Sequence, residues 1–383
     1  MTMSVSSNSA NPPSPTAGTS PISISSDDLI QLVARIFAAA GVNETAARTV
    51  AEGLVEADLQ GLSSHGVMLV EMYVARLRAG SVSTHGSSAI ASDRGCSVVL
   101  DAGHGLGQIT GAEAINIAVS RAKEHGAGIV AVRHGFHFGA ARRYAVKAAD
   151  ENCIGIVMCN TRPLMPAPGG AERVVGNNPL SIAVPSDGPI PLVLDMATSE
   201  AAMGKIRLAE KAGQPIPSNW AVRNDGGPTT DPKEAIAGML LPAAGPKGFG
   251  LAFMIDLMCG LLSGGAAGGE VKPLYGDPSI PYDCSHLFIA IDVAHFCDVS
   301  SFRAQATAAA ERIRTGKRAS GIDALFLPGE IEWRRQANAG GKVMLDATVA
   351  ENLVNLAESL HLSAEPLLSV LRCPARKECH AQT

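Results

Sequence analysis

The segment "CSVVLDAGHGLGQITGAEAINIAVSRAKEHGAGIVAVRH", Cys96 to His134, reads as strand, glycine-rich turn, helix and second strand, the outline of a dinucleotide-binding βαβ unit. Its glycines decide against that fingerprint. Counting from Gly103 puts Gln108 where the third glycine of GxGxxG belongs, and counting from Gly105 puts Thr110 there. The second strand also ends in Arg133 and His134, where a carboxylate for the cofactor ribose would stand. The Rossmann fingerprint is rejected on spacing, so the sheet must be assembled in another way. The apolar runs "NCIGIVMCNT", "PLSIAVP", "PLVLDMATS" and "HLFIAIDVA" are bounded by Gly, Pro or Asp and suit buried strands. Only some have a helix between them, which predicts many antiparallel pairs.

The chain ends read differently. From Ser25 the pattern turns helical: Ser25 or Ser26 caps, Asp27 and Asp28 suit the first turn, and Leu29, Val33, Ile36 and Phe37 share a face up to Gly41. A second helix is expected over Glu44–Gln60 and a third over Val67–Ala79, stopped by Gly80. "TVAENLVNLAESLHL", Thr348 to Leu362, is again amphipathic. The expected organisation is a helical unit over 24–85 completed by 340–365, and a unit over 86–339 that carries the sheet. A Pro-rich excursion spans about 205–242. Residues 1–23 read as a disordered tail and 366–383 as a flexible one, whose Cys373, Cys379 and His380 lack the second ligand cluster a metal site needs. "FGLAFMIDLMCGLLSGG" holds Asp256 and is too short to cross a bilayer, so a buried helix is expected there.

Composition narrows function. A length of 383 residues suffices for a large core without disulfide or metal staples. A formal charge of -5 and the lack of a basic stripe argue against nucleic-acid binding, and no membrane partner is expected. The eight cysteines show no CxxC pairing, so they read as reduced thiols in a cytoplasmic protein with no metal.

Four features offer chemistry. In "VRHGFHFGAARRY", His134 and His137 are separated by Gly135 and followed by Gly139, which predicts a turn that presents an imidazole to a cleft as readily as a plain solvated loop. His65 in "SSHG" sits between two helices, where Ser63 or Ser64 can cap the next helix and the dipole would lower the imidazole pKa; a bystander beside a cap fits equally. Lys247 in "PAAGPKGFGL" precedes an apolar helix and lacks Walker spacing, which suits a general anion rather than an ATPase. Asp195 in "VLDMATS" can accept ribose hydroxyls, orient a histidine or simply cap.

Taken in order, "SSHG", "GLGQ", "HFGAA", "GNNPLSIAVP", "LDMATS", Gly204–Lys205, "IPSNWAV", "PTTDP", "GPKGFGL" and "LPGE" resemble the type-2 malate/L-lactate dehydrogenase family from about Ile24 to Leu360. The resemblance implies an α/β (α+β) fold whose cofactor domain is a mainly antiparallel, non-Rossmann sheet flanked by helices, and a homodimer. It implies hydride transfer between NAD or NADP and C2 of a small 2-hydroxy acid of malate, lactate, sulfolactate or ureidoglycolate type. Reduction of a cyclic imino acid, or an inactive nucleotide-binding homologue, are the alternatives. The acid/base maps to His137 or His65. Cofactor contacts map to Thr161, Asp195, Met196, Ala197, Lys247, Gly329, Glu330 and Ile331. Where the family commonly carries an arginine for the substrate carboxylate, this chain has Leu69; either Arg142 and Arg143 supply the charge or the substrate is differently shaped or less acidic, with Ser64 beside it.

Overall fold

The structure is a computed structural model that describes residues 21–372. The first strand, β1 (Ile22–Ser25), is followed by α1 (Ser26–Ala39), whose first turn is capped by the Ser25 side chain. Helix α2 (Glu44–Leu59) is capped by Asn43, and α3 (Val70–Ala79) ends where Gly80 adopts φ 78°. A seven-stranded sheet occupies the middle of the chain: β2 (Ala89–Arg94), β3 (Ser97–Asp101), then α4 (Gly107–His125), β4 (Ala127–Gly135), α5 (Arg142–Asp150), β5 (Cys153–Cys159), β6 (Leu180–Val184) and β7 (Leu192–Met196). The excursion holds α6 (Met203–Lys211), β8 (Ala221–Val222), α7 (Pro232–Ala237) and β9 (Met239–Leu240), wrapped on a small core of Met165, Ile206, Ile216 and Leu240. After α8 (Pro246–Ser263), β10 (Cys284–Asp292) returns to the sheet, followed by α9 (Val299–Arg314), α10 (Glu330–Asn338), β11 (Lys342–Leu345), α11 (Ala347–Ser359) and α12 (Glu365–Leu371).

The strand order is β2-β3-β4-β10-β5-β6-β7. Strands β3 and β4 pair in parallel around α4, as the βαβ outline predicts, and every other neighbouring pair is antiparallel. Residue alternation assigns the two faces. Val130, Val132, Val157 and Phe288 share a core with α4 and α5, whereas Ala131, Met158 and Leu287 pack with Ile255 and Cys259 of α8. The sheet is thus the middle of three layers. Gly128 explains how closely the first layer sits: a Cβ there would lie 2.0 Å from the carbonyl oxygen of Ala118 in α4.

Three expectations change. Ile22 and Ser23 are not tail but part of β1, which pairs with β11 because its buried Ile22 and Ile24 close the helical core. Residues 366–371 continue α12, anchored by fully buried Leu367. Helix α8 is buried on one side only: Leu251, Met254, Leu261 and Leu262 are exposed on the other. Cys373, Cys379 and His380 lie outside the described residues. Among those described, no cluster of His, Cys, Asp or Glu is arranged for a metal.

Two stability outcomes follow. Gly128→Ala forces α4 off the sheet and should cost about 1–3 kcal/mol in urea unfolding. His286, fully buried in β10 and stacked on Phe138 at 4.5 Å, has its imidazole pushed down by burial to about 3, against 6.5 when exposed. The unfolded chain therefore binds the extra proton first, so stability is complete above pH 6.5 and declines as pH falls toward 3, by at most about 1.4 kcal/mol per unit for this group. His286→Phe should flatten that decline; an unchanged slope would show that the group does not titrate this way.

Candidate active site

The candidate catalytic corner is built where α4 meets the turn after β4. Gly107 opens α4 against that turn, and a Cβ on it would fall 2.3 Å from the Phe136 carbonyl oxygen and 2.6 Å from that of His137. This glycine of the apparent nucleotide fingerprint serves helix-to-turn packing. One residue on, Gln108 donates from Nε2 to the Tyr73 hydroxyl at 3.2 Å. Tyr73, fully buried on α3, lies 2.6 Å from His137 Nδ1 and donates to the His137 carbonyl oxygen at 3.3 Å. The Tyr73 hydroxyl thus holds the ring from its Nδ1 side, with Gln108 donating to the same oxygen.

His65 stacks on His137 with ring centroids 5.4 Å apart. The structure thus brings together the two histidines that the sequence leaves 72 positions apart. His65 ends a short 3-10 turn, Ser63–His65, and its Nδ1 lies 2.9 Å from Ser64 Oγ. No serine caps the following helix. Instead the Val67 amide donates to Asp58 Oδ2 at 2.7 Å, and Gly66 is needed because a Cβ there would touch that carboxylate at 2.1 Å. Burial rather than a helix dipole lowers the His65 pKa. Burial, with the neighbouring His65 and His286, pushes His137 down to about 3, so both rings are neutral at pH 7. His134 points elsewhere: its Nδ1 lies 2.9 Å from Asp101, which also accepts from Arg133.

A second cluster lies along β7. Arg142 is buried, donates to the Gly329 carbonyl oxygen at 3.3 Å, lies 3.6 Å from Glu332 and covers the Trp333 ring. Its guanidinium therefore lies beside Asp195. Arg143 is paired with Glu56. Burial raises the Asp195 carboxyl to about 6 even with Arg142 beside it. Gly329, at φ 79°, packs so tightly on Val193 that a Cβ would meet it at 2.5 Å. The Glu330 carboxylate is fully buried and accepts from Arg314, Arg334 and the Leu327 amide, which leaves its backbone for the expected cofactor contact. Ile331 is exposed.

The "GNNP" motif, whose role spacing did not reveal, ties these parts together. Asn178 accepts from the Thr161 amide at 2.8 Å and donates to Ala252 of α8. Asn177 accepts from Thr161 Oγ1, and its carbonyl oxygen accepts from the Thr198 amide just after Ala197. The Thr198 carbonyl in turn accepts from Ala243, on the approach to exposed Lys247. Pro246 has no N–H and the Gly248 amide already bonds to Ala243, so the anion cradle foreseen at this helix start is reduced to Lys247. Tyr73 and Gln108 were also missed by sequence reasoning. Their traces are the "GLGQ" motif, which ends in Gln108, and the offset that sets Tyr73 eight residues after His65.

Comparison with known proteins agrees with this architecture. Residues 24–354 match the malate/L-lactate dehydrogenase family. The chain is 35% identical over 317 residues to a malate dehydrogenase of Pyrococcus abyssi, covering 81% of this chain and 86% of that one. It is also 35% identical over 326 residues to the ureidoglycolate dehydrogenase (NAD(+)) of Escherichia coli K12, covering 84% and 93%. The solved sulfolactate dehydrogenase of Methanocaldococcus jannaschii superposes with a TM-score of 0.86 at 32% identity, covering 92% of this chain and all of that one. Sequence, topology and the paired histidines converge: this chain belongs to the malate/L-lactate dehydrogenase family and is an oxidoreductase acting on 2-hydroxy acids.

Proposed function

We propose that the chain interconverts a small 2-hydroxy acid and its 2-oxo acid with NAD or NADP, His137 being the acid/base. The observation that carries this reading is the His137 imidazole, held by buried Tyr73 through Nδ1 and, among the described residues, making no hydrogen bond through Nε2. In oxidation, Nε2 takes the proton of the C2 hydroxyl, while Nδ1–H continues to donate to Tyr73 and Tyr73 to the His137 carbonyl oxygen. In reduction Nε2 returns that proton to the nascent alkoxide. His65, stacked alongside with Ser64 on its Nδ1, bounds the substrate and excludes water from the ring.

The residues along β7 fit a dinucleotide bound without a Rossmann unit. Thr198 Oγ1 and Arg142 Nε are buried without partners on either side of Asp195–Ala197, and Asp195 offers an acceptor for ribose hydroxyls. Thr161, Met196, Ala197, Lys247, the Gly329 backbone and Ile331 complete the proposed set, with Lys247 near the phosphates. When bound, the nicotinamide supplies hydride chemistry at C2. The six described cysteines are unpaired, which supports a cytoplasmic protein.

A homodimer is part of this reading. The exposed stripe of Leu251, Met254, Leu261 and Leu262 on α8 carries no charge, as a two-fold self-contact requires. Paired Met254→Glu and Leu261→Glu changes should convert a dimer to monomer in light scattering; a native monomer, or a mutant dimer, would refute the assignment.

The activity test is initial-rate oxidation of NADH and NADPH across 2-oxo acids and cyclic imines. His137→Ala should lower turnover by about 10²–10⁴-fold. Tyr73→Phe should retain cofactor binding but shift the pH profile, because the Nδ1 proton loses its acceptor. His65→Ala is expected to be milder. Preference for a cyclic imine over the open-chain keto acid would favour the imino-acid reading, and full activity in His137→Ala would sink the assignment.

A further inference from the structure

Three neighbouring strands deliver their ends to one place. Cys284 of β10 pairs with Gly135 of β4, and His286 pairs with Cys159 of β5 on the other side. The Asn160 amide extends that ladder by donating to Ser285 at 3.0 Å. So Phe136–His137 leaves the sheet from β4, Thr161–Arg162 leaves it from β5, and Tyr282 leads into β10 between them. Adjacent strands lie about 4.8 Å apart, which sets the His137 and Arg162 backbones on the order of 10 Å apart at that end. A small acid together with an arginine side chain spans such a gap.

Arg162 is half-buried and, among the described residues, has neither a hydrogen bond nor an ion pair; no other half-buried or buried arginine is in that position. Arg76 donates to the carbonyls of Pro273, Leu274 and Ile280, Arg133 to Asp101, and Arg142 to Gly329. The charges that act on Arg162 are unfavourable apart from one phenol: burial and the positive Arg173 and Arg207 lower its pKa, and Tyr282 opposes them. Tyr282 itself lies edge-on to Phe136 at 6.1 Å, and Phe136 edge-on to Tyr73 at 4.9 Å, which links this cation to the His137 holder. A half-buried guanidinium without a protein partner among the described residues is stabilised by an anion that arrives from outside. Its backbone is already fixed. Asn160 donates to Asp256 at 3.0 Å and to Ala266 at 2.8 Å and accepts from Ser285, while Asn178 holds Thr161. Leu69 offers no alternative, being fully buried in apolar packing.

We infer that Arg162 receives a carboxylate of the substrate and so sets which acids are turned over. The inference rests on the acid-dehydrogenase reading of the site, and it names Asp256 and Asn160 as positioning residues for Arg162. A phosphate of the cofactor is the other anion that this guanidinium could meet, since Thr161 precedes it.

The test compares native protein, Arg162→Met and Arg162→Lys in three measurements: KM for the best 2-oxo acid, Kd for NADH or NADPH by fluorescence, and oxalate binding by calorimetry without cofactor. Far-ultraviolet circular dichroism checks the fold. The expected result is a KM for the acid raised about 30-fold or more in Arg162→Met, partly restored in Arg162→Lys, loss of oxalate binding, and a cofactor Kd changed by less than about twofold. An unchanged KM for the acid overturns the inference. So does a weakened cofactor Kd with the acid KM intact, which would assign Arg162 to a phosphate. If the native protein turns over no acid, the activity proposal fails, and oxalate still judges this inference: binding lost in Arg162→Met supports it, whereas equal binding, or none by native protein, overturns it.

Discussion

Strand β10 enters the sheet between β4 and β5 from more than 120 residues further along the chain, and the site depends on that insertion. Without it, the ends of β4 and β5 would be joined directly, and the segments that carry His137 and Arg162 would lack the gap that Tyr282 fills. The insertion also explains the polar groups buried in its path. Asn160 satisfies the Ser285 amide and the Ala266 carbonyl, while Asp256 reaches across from α8 to hold Asn160 and the Gly268 amide. Each of these groups would be costly to bury alone, and together they satisfy one another.

The same burial governs the chemistry. His137 and His65 are neutral because the site is dry and because a charge on one ring repels a charge on the other. In the proposed reaction this neutral ring, held at Nδ1 by Tyr73, takes the proton, and a carboxylate-bearing substrate lowers the penalty for the charged ring that results. Tyr73 suits this exchange because the His137 carbonyl oxygen receives its proton in either state. Phe136 and Tyr282, both buried, pack in series beside Tyr73.

Much of the architecture could be read from the chain. The helix limits near Ser25, Glu44 and Gly80, the βαβ outline and the buried strands all rest on local signals, namely caps, periodicity and glycine stops. Local signals failed where a partner lay far away in sequence. Ile22 and Ser23 looked like tail because β1 becomes a strand only against β11. Glu330 looked available because nothing near it in sequence announces Arg314 as its partner. The two arginines after His137 looked like substrate ligands, yet each found a nearer carbonyl or carboxylate once the fold closed.

What the sequence by itself determined is the inventory: a family-like order of motifs, two candidate histidines, a sheet rich in antiparallel pairs and a helical unit at the chain start. These depend on residue type and spacing, which the linear chain carries in full. Only the tertiary structure decided which groups meet. It stacked His65 on His137, brought Tyr73 and Gln108 to the Nδ1 side of the imidazole, turned Arg142 toward Asp195 and left Arg162 without a partner among the described residues. The physical reason is range. A cap or an apolar period acts over a few residues, whereas hydrogen bonding and desolvation at the site are set by atoms brought together from five separate segments.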